Sequence, residues 1–318
     1  MTPAVRIEGL VKRYGDTVAV AGVDLEIGRG EIYGLVGPNG AGKTTTMRML
    51  ATLLEPSAGQ AWVCGLDVRR QPNQVRRVIG YMPDTFGVYD DMRVVEYLDF
   101  FARVYVMPAA RRRTMVADLL ELVDLEQKRD AYVHSLSRGM QQRLCLAHAL
   151  VHDPRVLLLD EPASGLDPRA RAELRELLRE LRALGKTILI SSHILPELEE
   201  LCTAVAIIDR GRVLAAGSVE QIEARFRRGA VVRARVLGGR DEWAAAERFF
   251  AAQAEVASVA QTADGRLDLA LPGDEGVAAA LLYRAMAHGH RIAAFGPVAS
   301  DLEELFLQIT DTAGEARA

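Results

Sequence analysis

Hydrophobic and polar residues alternate through the first part of the chain, as they do in β-strands with one buried face. The segments VRIEGLVKRYG, AVAGVDLEI and EIYGLVG follow this pattern and are separated by glycine-containing turns. The third segment ends in an apolar run, and a helix extending to about Leu54 is predicted after it. The chain is therefore predicted to begin with three strands and one helix.

The middle of the chain has the periodicity of helices. From about Thr85 to His152, apolar residues recur at i, i+3, i+4 and i+7, as in VVEYLDFFARVY and ARRRTMVADLLELVDL. From Val156 the buried strands VLLLD and TILISS alternate with helical segments, and AVAIIDRGRVLAAG reads as a strand pair. This alternation predicts an α/β fold with a mostly parallel, mixed sheet core. Residues from about 85 to 152 are expected to form a helical subdomain.

A second cycle of elements follows Gly217. After the arginine-rich turn FRRG, the pattern predicts the order β-α-β-β-α-β and a last helix over SDLEELFLQIT. That order is typical of a ferredoxin-like unit. We therefore predict a first domain over residues 1–218 and a small α+β accessory domain over 219–318. The accessory domain could serve in regulation, in dimerisation or in packing, and the sequence leaves these three roles open.

Composition narrows the class of protein. The 318 residues suffice for two domains, since single cores seldom exceed roughly 250–300 residues. The net charge of −4 does not favour binding to nucleic acid, and the short arginine runs are expected to be solvated. Three scattered cysteines fit a reducing compartment. No apolar stretch reaches the length of a membrane span, so any membrane function requires another chain.

The segment GPNGAGKTT is the main candidate for chemistry. It matches the phosphate-binding motif G-x-x-x-x-G-K-[ST] and directly follows a predicted buried strand. The glycines permit a tight turn whose N–H groups face a phosphate, Lys43 is expected to reach the outer phosphates, and Thr44 to hold Mg²⁺. The predicted nucleotide-binding residues here are Gly37, Pro38, Asn39, Gly40, Ala41, Gly42, Lys43, Thr44 and Thr45.

Two further segments carry candidate site residues. VLLLDEP places Asp160 at the end of a buried strand, as a metal ligand, and Glu161 next to it, facing an attacking water. A simple surface turn is the alternative for this carboxylate pair. In HSLSRGMQQRLCLAHAL, Ser137 and Gly139 begin a helix whose free N–H groups form a second anion-binding end.

Together these motifs resemble an ATP-binding cassette (ABC) ATPase, the nucleotide-binding subunit of ABC transporters. LSRGM at 136–140 is similar to the family signature LSGGQ, which binds ATP held by a partner copy. The resemblance implies that Tyr14 stacks on adenine, although a core aromatic is the alternative. It also implies that residues 164–167 communicate between copies and that His193 contacts the γ-phosphate and positions Glu161.

The chain departs from the family pattern at two places. Asp84 stands where the family has a glutamine that senses Mg²⁺ and the membrane partner, so an altered Mg²⁺ dependence is expected. Arg138 and Met140 replace glycine and glutamine in the signature. Similar signatures, and an ending similar to residues 301–310, occur in the daunorubicin/doxorubicin-resistance branch of drug-export ATPases.

The resemblance implies a peripheral ATPase on the cytoplasmic face of the membrane. It would use ATP and Mg²⁺, with Lys43, Glu161 and His193 as catalytic residues and Thr44, Asp84 and Asp160 at the metal. Its expected partners are a second copy and a separate membrane permease that exports a drug, an antibiotic or another hydrophobic compound. The alternatives are a soluble cassette ATPase acting on ribosomes or DNA, and an interaction protein with a relic site.

Overall fold

The computed structural model describes residues 2–85, 87, 89, 91–194, 198, 201–218, 221–222, 230–262, 265–271 and 275–297. The chain divides into two compact units near residue 219. The predicted FRRG turn and the predicted last helix, over residues 300–310, lie outside the described residues.

The first unit combines strands with helices in the order that a mixed α/β fold requires. Its described strands are β1 (Val5–Tyr14), β2 (Thr17–Ile27), β3 (Ile32–Val36), β4 (Ala58–Val63), β5 (Leu66–Asp67), β6 (Ile79–Met82), β7 (Val156–Asp160), β8 (Thr187–Ser192), β9 (Ala204–Asp209) and β10 (Arg212–Gly217). Its described helices are α1 (Lys43–Leu50), α2 (Pro72–Val78), α3 (Val94–Val104), α4 (Ala109–Leu122), α5 (Arg138–Leu150) and α6 (Pro168–Ala183).

A six-stranded sheet forms the centre of this unit, in the order β10-β9-β3-β8-β7-β6. Neighbouring strands from β9 to β6 are parallel, and β10 pairs with β9 in the antiparallel sense. Every residue of β3, β7 and β8 is buried, which explains why these strands are continuous apolar runs in the sequence. The predicted mixed sheet core is confirmed.

A second sheet is antiparallel, in the order β2-β1-β4-β5. The pattern analysis missed β4, β5 and α2, because strands and helices this short leave little periodicity. It also placed the end of α1 too late: the helix ends at Leu50, and Thr52 has a φ of +60°. The N–H groups of Leu53 and Leu54 both donate to the carbonyl of Arg48, so a turn closes the helix.

The helices α3, α4 and α5 occupy the region predicted as a helical subdomain. Tyr97 and Leu98 of α3 are almost fully buried, and α5 contributes a buried face from Leu144 to Leu150. Short 3₁₀ turns at Glu126–Lys128 and Val133–Ser135 connect α4 to α5. This insert thus presents the N-terminus of α5, with Ser137 as its N-cap.

The second unit follows the predicted β-α-β-β-α-β order. Its elements are β11 (Ala230–Val236), α7 (Arg240–Ala251), β12 (Ser258–Gln261), β13 (Arg266–Leu271), α8 (Glu275–Ala287) and β14 (Ile292–Pro297). They form one antiparallel sheet, β12-β13-β11-β14, with a core that includes Val232, Phe250, Leu269 and Leu281. In the described part of the chain, no helix has the length and apolar character needed to cross a membrane.

Candidate functional site

The candidate site lies at one edge of the six-stranded sheet. Parallel strands end at a common edge, and β3, β6, β7 and β8 are parallel members of this sheet. The phosphate-binding loop follows β3, Asp84 follows β6, Asp160 ends β7, and His193 follows β8. The topology therefore gathers residues that are far apart in the sequence.

The loop between β3 and α1 adopts a conformation that requires glycine. Gly42 has a φ of +105°, and a Cβ on it would lie 2.6 Å from the carbonyl oxygen of Ala19. Lys43, the first residue of α1, is only 5% exposed. Its ammonium donates to the carbonyl oxygens of Gly37, at 2.6 Å, and Pro38, at 3.2 Å. The loop thus holds the lysine side chain over its own backbone.

Asp160 is fully buried and lies between two hydroxyl groups. Its Oδ1 accepts hydrogen bonds from Ser191 Oγ, at 2.6 Å, and from Thr44 Oγ1, at 3.2 Å. Its Oδ2 is buried and has no hydrogen-bond partner within the residues that the structure describes. Burial raises the pKa of Asp160, and the charges of Asp84 and Glu161 add to this, against the two hydroxyl hydrogen bonds.

Glu161 lies between a lysine and a histidine. Its Oε1 is 3.3 Å from Lys43 Nζ, and its Oε2 is 2.8 Å from Nδ1 of His193. The backbone of Glu161 has a φ of +50°, in the left-handed region that is unfavourable for residues other than glycine. Ser191 Oγ accepts a hydrogen bond from the Glu161 N–H at 3.0 Å. Such strain is maintained at functional sites when neighbouring contacts fix the backbone.

The sequence of this chain is similar to those of known proteins. The ABC transporter family model matches residues 20–164. "Nod factor export ATP-binding protein I" of Ralstonia nicotianae is 44% identical over 221 residues, which are 70% of this chain and 69% of that protein. The protein of the same name from Burkholderia orbicola is 48% identical over 207 residues, 65% and 68% of the two chains.

Solved structures that are similar to this chain come from ABC transporters as well. An ATP-binding subunit of an ABC transporter is 32% identical, with a TM-score of 0.64, over 70% of this chain and 93% of that one. CbiO1 from Clostridium perfringens, part of the ABC transporter complex cbiONQ, is 30% identical, with a TM-score of 0.64, over 70% and 92%. The chain belongs to the ABC transporter family, as an ATP-binding subunit. The predicted resemblance to ABC ATP-binding subunits is therefore confirmed.

The donor set of this ABC ATP-binding subunit fits Mg²⁺. In the described ranges, no group of three or more His, Cys, Asp or Glu side chains is placed to hold a metal ion. Mg²⁺, however, is commonly held by one or two carboxylates together with substrate phosphates and water. The orphaned, buried Oδ2 of Asp160 and the neighbouring Thr44 hydroxyl supply oxygen donors of this kind. Asp84 is exposed, and its charge acts on Asp160.

The adenine-binding candidate lies on the surface of the ABC subunit. Tyr14 ends β1 and is 49% exposed, which excludes the alternative that it is a core aromatic. The ammonium of Lys12 lies 5.3 Å from its ring centroid. Its stacking on adenine stays a prediction.

The signature residues Ser137 and Gly139 lie at the start of α5. Ser137 is exposed and caps α5, accepting a hydrogen bond from the N–H of Met140 at 3.4 Å. A Cβ on Gly139 would lie 3.5 Å from Leu166 and 3.7 Å from Ala170. The described neighbours of both residues are thus in α5 and near the start of α6.

The other residues of the phosphate-binding motif differ in their exposure to solvent. Pro38, Asn39 and Gly40 are exposed, Gly37 and Ala41 are buried, and Thr44 and Thr45 are partly buried.

Sequence reasoning missed two residues of this site. Ser191 binds both Asp160 Oδ1 and the N–H of Glu161, and its signal was the change from apolar to hydroxyl residues at the end of TILISS. Gln142, in α5, donates to the carbonyl oxygen of Pro162 at 2.7 Å. Nothing in the sequence pattern around Gln142 indicated that contact.

Proposed function

We propose that this chain hydrolyses ATP with Mg²⁺ and that hydrolysis powers export through a separate membrane subunit. The observation that carries this proposal is the position of Glu161, between Lys43 Nζ at 3.3 Å and His193 Nδ1 at 2.8 Å. A carboxylate held in this way beside a phosphate-binding loop suits the activation of water for attack on a γ-phosphate.

Each residue has a distinct role in the proposed reaction. Glu161 orients or deprotonates the attacking water, and His193 fixes the direction of its carboxylate. Lys43 and the loop N–H groups stabilise negative charge on the transferred phosphoryl group. Thr44 and Asp160 would hold Mg²⁺, with the charge of Asp84 acting on Asp160. The ion would neutralise part of the phosphate charge.

We propose further that two copies share each nucleotide. The exposed N-terminus of α5, with Ser137 and Gly139, would bind the γ-phosphate of ATP held by the loop of the other copy. Hydrolysis removes that bridging charge and lets the copies separate. Tyr14 would stack on the adenine, since its ring is exposed at the end of β1.

The membrane subunit is proposed to dock at Asp84 and the helical insert that follows it. Val104, Tyr105 and Val106, at and just after the end of α3, are 60%, 40% and 88% exposed, and adjoining exposed apolar side chains mark protein contact surfaces. The chain would then act on the cytoplasmic face of the membrane. The second unit is proposed as an accessory domain, because every candidate site residue belongs to the first unit.

The proposed cargo is a drug, an antibiotic or another hydrophobic compound. The signature LSRGMQQR and its similarity to the drug-export branch support this choice. The names of the two relatives support export as the direction and offer Nod factor as a second candidate cargo.

A capture experiment tests the function. Tagged Glu161→Gln protein, which should retain ATP, is mixed with detergent-solubilised host membranes and ATP–Mg²⁺, and co-purifying proteins are identified by mass spectrometry. Lys43→Met, which should not retain ATP, is the matched control. A stoichiometric multi-span membrane protein, enriched with Glu161→Gln, is the expected result. Recovery of ribosomal or DNA-repair proteins without a membrane protein would replace this proposal with the soluble-ATPase alternative.

A further inference from the structure

Two side chains of α5 hold the segment that directly follows Glu161. Arg138 and Gln142 are four residues apart and therefore lie on one face of the helix. The Gln142 amide nitrogen is 2.7 Å from the carbonyl oxygen of Pro162 and 3.4 Å from that of Ser164. Arg138 covers Gly165, whose φ is +69°: a Cβ on Gly165 would lie 2.4 Å from the Arg138 guanidinium carbon. Helix α5 thus hydrogen-bonds two carbonyl oxygens of residues 162–165 and covers Gly165.

The chemistry of the contact fixes the orientation of the Gln142 amide. Carbonyl oxygens only accept hydrogen bonds, so the NH₂ group must face Pro162 and Ser164. The other end of the amide, Oε1, is buried without a hydrogen-bond partner in the described part of the chain. An unsatisfied buried oxygen costs free energy, which offsets part of the gain from the two hydrogen bonds to Pro162 and Ser164. The net contribution of Gln142 to fold stability is therefore small, and stability alone does not explain a glutamine here.

The contact between Gln142 and Pro162 lies directly beside Glu161 in the chain, so it can fix the backbone of that residue. Glu161 has an unfavourable φ of +50°, which neighbouring contacts must maintain. On one side, Ser191 Oγ accepts from the Glu161 N–H at 3.0 Å. On the other side, Gln142 binds the carbonyl of the next residue, Pro162. Side chains thus fix the backbone on both sides of Glu161.

We propose that Gln142 is a positioning residue that aligns Glu161 for hydrolysis, acting through the carbonyl groups of Pro162 and Ser164. Since Gln142 lies five residues after Ser137 on the same chain, it also joins the signature end of α5 rigidly to the carboxylate of its own subunit. This inference rests on the proposed ATPase function.

The test compares Gln142→Met with Gln141→Met. Gln141 is the matched control, because it is the adjacent glutamine and also donates to a backbone carbonyl, that of Val133 at 3.3 Å, away from Glu161. Steady-state ATP hydrolysis gives kcat and KM, and thermal unfolding gives Tm. Gln142→Met should lower kcat about 5- to 10-fold, since it removes one short and one long hydrogen bond to the segment after Glu161, and leave KM for ATP unchanged. Its Tm should stay close to that of wild type, because removal of the unsatisfied Oε1 offsets much of the loss of the hydrogen bonds to Pro162 and Ser164.

A second variant, Gln142→Glu, predicts the order in which the substitutions lower kcat. In Gln142→Glu a carboxylate faces two carbonyl oxygens and donates to neither, so kcat should fall further than in Gln142→Met. Equal kcat values for Gln142→Met and Gln141→Met would overturn the inference and leave the ATPase proposal standing. A fall in kcat that is matched by a fall in Tm would also overturn it, as the mark of a purely structural residue. A wild-type protein that hydrolyses no ATP would overturn both proposals.

Discussion

The carboxylate of Glu161 lies 2.8 Å from Nδ1 of His193, although 32 residues separate them. The Glu161 side chain is 12% exposed, and that of His193 is 41% exposed. A histidine at the edge of the site can therefore meet a nucleotide and direct a buried carboxylate at the same time.

Glu161→Gln should bind ATP but hydrolyse it at least about 100-fold more slowly, because an amide is a poor general base. ATP-bound protein should then accumulate as a dimer. Phosphate release and size-exclusion chromatography with ATP–Mg²⁺ measure the two effects. Glu180→Gln, at an exposed position on α6, is the control and should behave as wild type. Continued rapid phosphate release by Glu161→Gln would remove Glu161 from its proposed role.

His193→Ala should lower kcat by about 10- to 100-fold and retain ATP binding, because the carboxylate loses the group that orients it. The two changes should not add: His193→Ala should have little further effect in a Glu161→Gln background, since both act through one carboxylate. Single-turnover hydrolysis in the four variants of this cycle is the measurement. Additive losses would show that His193 acts independently of Glu161.

The sequence predicted much of this architecture because its signals are local. Buried strands such as β7 and β8 are apolar runs, and the phosphate-binding motif has fixed spacing, so both could be identified without tertiary information. The two-residue strand β5 is too short to alternate. Gln142 could not be identified, because its partner Pro162 is 20 residues away and the contact depends on how α5 packs.

Ser191 is another residue whose contacts in the site could not be predicted from the sequence. The sequence shows that a hydroxyl residue ends the strand before His193, but not that it lies between Asp160 and the Glu161 backbone. That contact arises from the parallel pairing in which Asp160 is the register partner of Ser191. Strand order, rather than local pattern, therefore places the hydroxyl at the carboxylates.

Asp160→Asn should stabilise the free protein. Burial raises the pKa of Asp160, so ionisation of this carboxyl opposes folding, and this cost grows as pH rises from the unfolded-state pKa through the folded-state pKa. Removing the charge should raise the free energy of unfolding at pH 7 by on the order of 1 kcal/mol. Urea unfolding without nucleotide or Mg²⁺ measures this. Asp118→Asn, exposed on α4, is the control and should change little. The extra stability from ATP–Mg²⁺ should be lost in Asp160→Asn; a destabilised variant would contradict the argument.

Asp84→Gln should change the dependence of hydrolysis on Mg²⁺ concentration more than the maximal rate. Asp84 adds negative charge near Asp160, and an amide is neutral, so half-saturation should require more Mg²⁺. Titration of Mg²⁺ at fixed ATP is the measurement, with Asp84→Asn to separate charge from side-chain length. If both variants match wild type in Mg²⁺ dependence and in rate, Asp84 has no role at the metal.

His148 makes stability depend on pH. Burial, together with the smaller effect of the His152 charge, lowers its pKa to about 4. Its ring packs on that of Phe101, with centroids 3.7 Å apart. In the unfolded chain the imidazole takes up a proton near pH 6.5, whereas the folded protein keeps it neutral, so stability is lost as pH falls from about 6.5 towards about 4.

Between pH 7 and pH 5 this group alone should cost the wild type about 2 kcal/mol of unfolding free energy. His148→Phe keeps an aromatic ring against Phe101 and has no proton to bind, so its stability should decline less over the same range. Urea unfolding at both pH values gives the two differences. His288→Phe, at an exposed histidine of the second unit, is the control and should keep the wild-type decline. Equal declines in wild type and His148→Phe would show that the imidazole is already protonated in the folded protein.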